Sequence, residues 1–121
     1  MYSPIAMDHF LKPRHAGTLT GPGVCSGSAT NADCGDTARF TVRIAGGAVA
    51  ELAFASNGCA GAIAACSATA QWLAAKPLPA ALALNAAAIE GILAPWPASK
   101  RGCTQMAVTA ALAALAQANP C

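Results

Sequence analysis

The chain has 121 residues, 55% of them hydrophobic, and a formal net charge of +2; that length makes residues 1–121 one domain with its own core, and no disulfide staple is needed to hold it. Seven scattered Lys and Arg are too few for a nucleic-acid footprint. The most apolar run, Met106 to Ala116, is far short of a bilayer span, so no membrane role is expected.

Residues 3 to 11 read as a short helix, with Ser3 as N-cap, Pro4 at the first helical position and Lys12-Pro13 as its stop. Ile5, Phe10 and Leu11 are expected to form its apolar side. Residues 16 to 33, rich in Gly, Ser, Thr and Asn, read as loop with an edge strand near Val24 to Ala32. From Ala38 the pattern turns strict: Phe40, Val42 and Ile44 alternate with Arg39, Thr41 and Arg43, the period of a half-buried strand. Leu52 and Phe54 continue it beyond Gly46-Gly47. A two-residue turn would put the apolar residues of the two strands on opposite faces. A three-residue loop, Gly46-Gly47-Ala48, instead pairs Phe40 with Phe54, Val42 with Leu52, Ile44 with Ala50 and Arg43 with Glu51, and that register is expected.

Ala60 to Ala75 reads as a helix stopped by Pro77, with Ile63, Ser67, Ala70, Trp72 and Leu73 marking its buried side. Pro79 opens a short helical piece to Leu84, and Asn85 caps another through Leu93. A last helix runs from about Gly102 to Ala118 with Val108, Leu112 and Leu115 on one stripe. One helix, antiparallel strands and then several helices predict an α+β domain, a sheet of about three strands with helices packed on one face.

Six cysteines stand at 25, 34, 59, 66, 103 and 121. Asp8, His9, Lys12 and Arg14 occupy the place where a secretory leader needs an apolar run, so a cytoplasmic location with reduced thiols is expected, and metal binding or thiol chemistry accounts for some of them. Cys34 and Asp36 fall two residues apart at the entry to the first clear strand, which predicts that their side chains leave one face. Cys59 and Cys103 stand at the starts of helices, where unpaired N–H groups and the helix dipole favour thiolate. Three thiolates and a carboxylate suffice for tetrahedral zinc or a small iron–sulfur cluster. On spacing alone, three ordinary buried cysteines are the slightly favoured reading.

Tyr2-Ser3, Asp8-His9-Phe10, Pro13-Arg14, Cys34-Gly35-Asp36, Gly58-Cys59 with Ala62-Ile63-Ala64 and Ser67, Trp72-Leu73 and Cys103, in that order, resemble the iron–sulfur cluster assembly scaffolds of IscU and NifU N-terminal type. The resemblance implies that Cys34, Asp36, Cys59 and Cys103 hold iron or a transient [2Fe–2S] cluster, with zinc as the alternative occupant, and that Asp36 is the labile ligand. It further implies that a cysteine desulfurase delivers sulfur as a persulfide, with Cys103 the expected acceptor, and that the cluster passes to acceptor apo-proteins.

Two positions depart from the family. Gly102 stands where the scaffolds usually carry histidine before the last cysteine. The stretch that engages an Hsp70-type chaperone survives only partly, in Trp96-Pro97-Ala98-Ser99-Lys100, which argues against chaperone release. A neighbouring branch, zinc-bound proteins that relay sulfur from a desulfurase, also lacks that histidine and is the rival expectation; a structural zinc domain is a third. Cys66 is expected in the core, Cys25 and Cys121 outside the site, and His9 on the surface or in helix packing. His15 is a remote substitute ligand. Lys100 and Arg101 would offset an anionic thiolate cluster. The sequence leaves a homo-oligomer open.

Overall fold

The computed structural model describes residues 2–118. In it the chain runs α1 (Pro4–Leu11), β1 (Val24–Thr30), β2 (Thr37–Ala45), β3 (Ala48–Ser56), α2 (Ala60–Leu73), α3 (Leu78–Ala81), α4 (Ala86–Ile92), a 3-10 turn at Ala98–Lys100 and α5 (Arg101–Ala118). The strands form an antiparallel sheet in the order β1-β2-β3, the α+β arrangement expected. Among the described residues no helix is long and apolar enough to cross a membrane.

The alternation of β2 works as expected at its centre: Phe40 and Val42 are buried and pair with Phe54 and Leu52, while Arg43 pairs with Glu51 in an ion pair. The end of the hairpin is a correction. The loop is the two-residue Gly46-Gly47 turn, both residues at positive φ (63° and 76°), which glycine adopts without strain. Ala45 pairs with Ala48 and Ile44 with Val49, not Ala50, and a register shift at Arg43/Ile44 takes up the extra residue. The bulge thus performs the repair that a longer loop was expected to make.

α5 packs across β1 and β2, α2 packs against α5 and β3, and α1 lies on α2. The closest approach is at Gly27 of β1, where a Cβ would collide with the backbone of Ala110 and Ala114. A second correction concerns α1. Its buried residues are Ala6 and His9, whereas Ile5 and Leu11 are exposed and Phe10 is half-buried. The Ser3 cap holds, accepting from the Ala6 N–H. The patternless stretch before β1 crosses the outer sheet face: Leu19 N–H donates to Thr41 Oγ1 at 3.0 Å, and Arg43 donates to the carbonyls of Thr20 and Pro22.

Candidate functional site

Cys34 is not on a strand. It closes a turn over residues 32–34 and β2 begins only at Thr37, so the same-face argument for Cys34 and Asp36 fails. The cause is local: the Asn31 carbonyl accepts from the N–H groups of Cys34 (3.3 Å) and Gly35 (2.7 Å), Asn31 Oδ1 accepts from Asp33 N–H at 3.1 Å, and Gly35 sits at φ 76°. An Asx-type turn therefore reverses the chain where alternation suggested extension.

Asp36 is brought to Cys59 all the same. Its Oδ2 accepts the Cys59 N–H at 3.3 Å, and the approach depends on Gly58, where a Cβ would stand 2.9 Å from that oxygen. Cys59 is the N-cap of α2, as expected. Its sulfur makes no ordinary capping bond, yet the local field favours its thiolate. Partial burial opposes charge, but the N–H groups of Ala62 and Gly61 and the Lys100 ammonium outweigh it and hold the thiol below its usual range. Lys100 Nζ lies 3.6 Å from Cys59 Sγ. The pair is reciprocal: Cys59 and then Tyr2 hold the Lys100 ammonium above its ordinary range.

Cys103 lies in the first turn of α5 and is buried. Burial, and then the neighbouring Cys59 sulfur, push its thiol up to about 12, with a smaller push from Cys34. Cys34 and Cys59 are exposed. Cys34, Asp36, Cys59 and Cys103 thus come from one turn and two helix starts to one end of the fold. Their chemistry, soft sulfur with one hard oxygen, suits zinc or iron with sulfide. Among the described residues no three His, Cys, Asp or Glu are grouped tightly enough to hold one ion as they stand, so more than one of these side chains has to shift for all four to share an occupant.

Of the remaining thiols, Cys66 is fully buried, as expected, and burial pushes it up to about 12. Cys25 sits on β1 opposite Val42, about 17 Å of extended chain before the strand's end. Cys121 lies outside the described residues. His15 is at the edge of β3, where its carbonyl accepts Phe54 N–H. His9 packs beneath α1, its Nδ1 2.7 Å from Ser67 Oγ. Arg101 faces Glu90 at 4.0 Å.

Three residues support the site in roles that the sequence did not assign them. Trp96 Nε1 donates to the Lys100 carbonyl at 3.1 Å and stacks on Tyr2, ring centroids 5.6 Å apart; Asn31 shapes the Cys34 turn. Tyr2 and Trp96 stood in the motifs named above with nothing to tie them to Lys100, and nothing marked Asn31 among its polar neighbours.

A family model described as the NifU-like N terminal domain matches residues 1–119. The chain belongs to this family. Among relatives, this NifU-like chain is 38% identical over 112 residues to the bifunctional protein NifU/MnmA of Rubrobacter xylanophilus, covering 90% of the chain but 22% of that protein. It is 31% identical to the iron–sulfur cluster assembly scaffold protein IscU 1 of Archaeoglobus fulgidus, covering 91% of the chain and 71% of that protein. It is 31% identical over 85 residues to the zinc-dependent sulfurtransferase SufU of Bacillus subtilis, covering 70% of the chain and 56% of that protein. In fold it matches a crystal structure from Fervidobacterium islandicum, described as a candidate cluster assembly scaffold for the SUF system, with TM-score 0.75 over 94% of the chain and 96% of that one. At 20% identity that likeness carries the fold and nothing further.

Proposed function

We propose that this chain is a scaffold on which an iron–sulfur cluster is assembled as cargo, a [2Fe–2S] unit held by Cys34, Cys59, Cys103 and Asp36 and passed to acceptor apo-proteins. The observation that supports this best is the pair of neighbours at Cys59, whose N–H is bonded to the Asp36 carboxylate and whose sulfur lies beside both the Lys100 ammonium and the Cys103 thiol. Thiolates bind iron tightly, and the oxygen of Asp36 supplies a weaker ligand that can let go. The proposed cargo-holding residues lie in one domain, and the cytoplasm is the proposed setting.

Sulfur arrives as a persulfide from a cysteine desulfurase. The accepting thiolate attacks the outer sulfur, a new S–S bond forms, and the desulfurase cysteine leaves as thiolate. The resemblance favours Cys103 as acceptor. Charge and exposure favour Cys59, because the attacking species is the thiolate. Mass mapping of the persulfide after desulfurase turnover separates them.

A second reading, a zinc-dependent sulfur-transfer protein with the same four ligands, is favoured by Gly102, which leaves Asp36 as the one non-sulfur donor of the set. Anaerobic incubation with ferrous iron, cysteine and a desulfurase decides between the two. Cluster-type visible absorption that transfers to an apo-ferredoxin supports the scaffold. No absorption, together with faster desulfurase turnover by the zinc-loaded protein, overturns it. A purely structural zinc role predicts a loss on the order of 10 kcal/mol when metal is removed, and a folded metal-free protein excludes it.

A further inference from the structure

Asn31 follows β1 directly and touches both halves of the candidate site. On one side it builds the Cys34 turn, with its N–H donating to the Asp36 carbonyl (2.8 Å), its own carbonyl accepting from Cys34 and Gly35, and Oδ1 accepting from Asp33 N–H. On the other side its amide lies against Gly102, the residue before Cys103 on α5. A Cβ at position 102 would stand 2.8 Å from Asn31 Nδ2 and 3.0 Å from Oδ1. The amide reaches this seat only because position 102 has no side chain. A cleft of about 320 Å³, lined by Asp33, Gln105, Met106 and Thr109 among others, opens beside the contact, so a displaced amide has somewhere to go.

We propose that Asn31 is the positioning residue of the site: seated on Gly102, its side chain fixes the Cys34 turn relative to the first turn of α5 and so sets the separation of Cys34 from Cys103. This rests on the reading of Cys34, Asp36, Cys59 and Cys103 as the cargo-holding set. Cys34 is the exposed member, carried on a turn with no strand pairing of its own, and Cys103 is the buried one, fixed in a helix. The turn carries the exposed member of the set, and the Asn31 amide is the contact that holds it against α5. In this account Gly102 is a clearance that admits a side chain from β1's end.

The test uses hydrogen exchange on the metal-free protein and zinc affinity by chelator competition. Gly102→Ala pushes the amide off its seat, so the N–H groups of Asp33, Cys34 and Gly35 exchange faster although the substitution is on α5, and zinc binds about tenfold more weakly, the usual scale for losing an orienting partner of a ligand. Asn31→Ala does the same. The double variant is no weaker than Asn31→Ala alone, because one contact can be lost only once. Asn31→Asp keeps the oxygen that accepts from Asp33 and stays close to native in both measurements. Unchanged exchange at Asp33 and Cys34 in Gly102→Ala, or additive losses in the double variant, overturns the proposal. Should Gly102→Ala not fold, the comparison of Asn31→Ala with Asn31→Asp decides, and equal behaviour of the two overturns it. The ligand reading fails separately, by a Cys34→Ser variant that binds zinc as the native chain does.

Discussion

Lys100 Nζ stands 3.6 Å from Cys59 Sγ while the carbonyl of the same lysine accepts a hydrogen bond from Trp96 Nε1. The backbone anchor fixes where the long side chain starts, and the sulfur fixes where it ends. Cys59 therefore carries its countercharge before any metal arrives, whereas at Cys103 burial and the Cys59 sulfur outweigh the same ammonium.

That asymmetry predicts an order of thiol reactivity. In the metal-free protein near pH 8, iodoacetamide modifies Cys59 well before Cys103 or Cys66, because only the thiolate reacts and the latter two are pushed up to about 12. Lys100→Met removes one of the groups lowering the Cys59 thiol and slows its alkylation at that pH, with the difference closing as pH rises and thiolate becomes complete in both proteins. Site-resolved mass spectrometry reads this out. Equal rates at Cys59 and Cys103 would refute the charge assignment.

His9 makes stability pH-dependent. Burial first, and Arg14 second, hold its imidazole below the ordinary 6.5. Ser67 Oγ accepts from the Arg14 N–H at 2.9 Å and lies 2.7 Å from His9 Nδ1. The unfolded chain then binds a proton more readily than the folded one, so stability is full above about pH 6.5 and falls as pH drops toward the lowered folded value. Thermal melts between neutral and mildly acidic pH should show the decline, and His9→Gln should flatten it.

The sheet's register and helix order were legible because burial imposes a period on sequence: Phe40, Val42, Leu52 and Phe54 had to share a face, whatever the turn. The turn itself was not, because a bulge and an added loop residue restore the same facing and leave the same alternation. That Asp36 and Cys59 share a site followed from the family resemblance, because the helix start gave Cys59 a favourable field and no partner. Cys34 was misplaced because Cys-Gly-Asp imitates strand alternation, while the bonds that bend it back join Asn31 to Asp33, Cys34, Gly35 and Asp36, a local turn that no hydrophobic period marks. Ile5 and Leu11 misled for a similar reason. α1 rests on α2 through Ala6 and a polar His9–Ser67 bond, so the small and the hydrogen-bonded residues face inward while the larger apolar ones stay in solvent.

Gly27 gives a test of the fold independent of the site. Its missing side chain lets β1 lie on the backbone of α5 at Ala110 and Ala114. Because backbone cannot rotate aside as a flexible side chain does, Gly27→Ala must part strand from helix, costing about 1–3 kcal/mol as overpacking does. Urea unfolding should show a lower midpoint with an unchanged slope. A native midpoint would mean that the two elements are held less closely than described.

Asp36→Ala tests lability directly. Its oxygen accepts the Cys59 N–H at 3.3 Å near the surface, so in the metal-free protein the loss should cost no more than about 1 kcal/mol, the worth of an ordinary hydrogen bond. Cluster behaviour should change far more. With the weak oxygen ligand gone, a cluster built on the three thiolates should persist longer in air and pass to apo-ferredoxin more slowly, on the order of tenfold, as with other changes at a metal's ligand sphere. Reconstitution followed by visible absorption and timed transfer separates the two possible roles. A variant that forms no cluster, while its unfolding midpoint stays native, would make Asp36 an essential ligand and would move the release step to one of the sulfur ligands, of which Cys34, on its exposed turn, has the least to hold it.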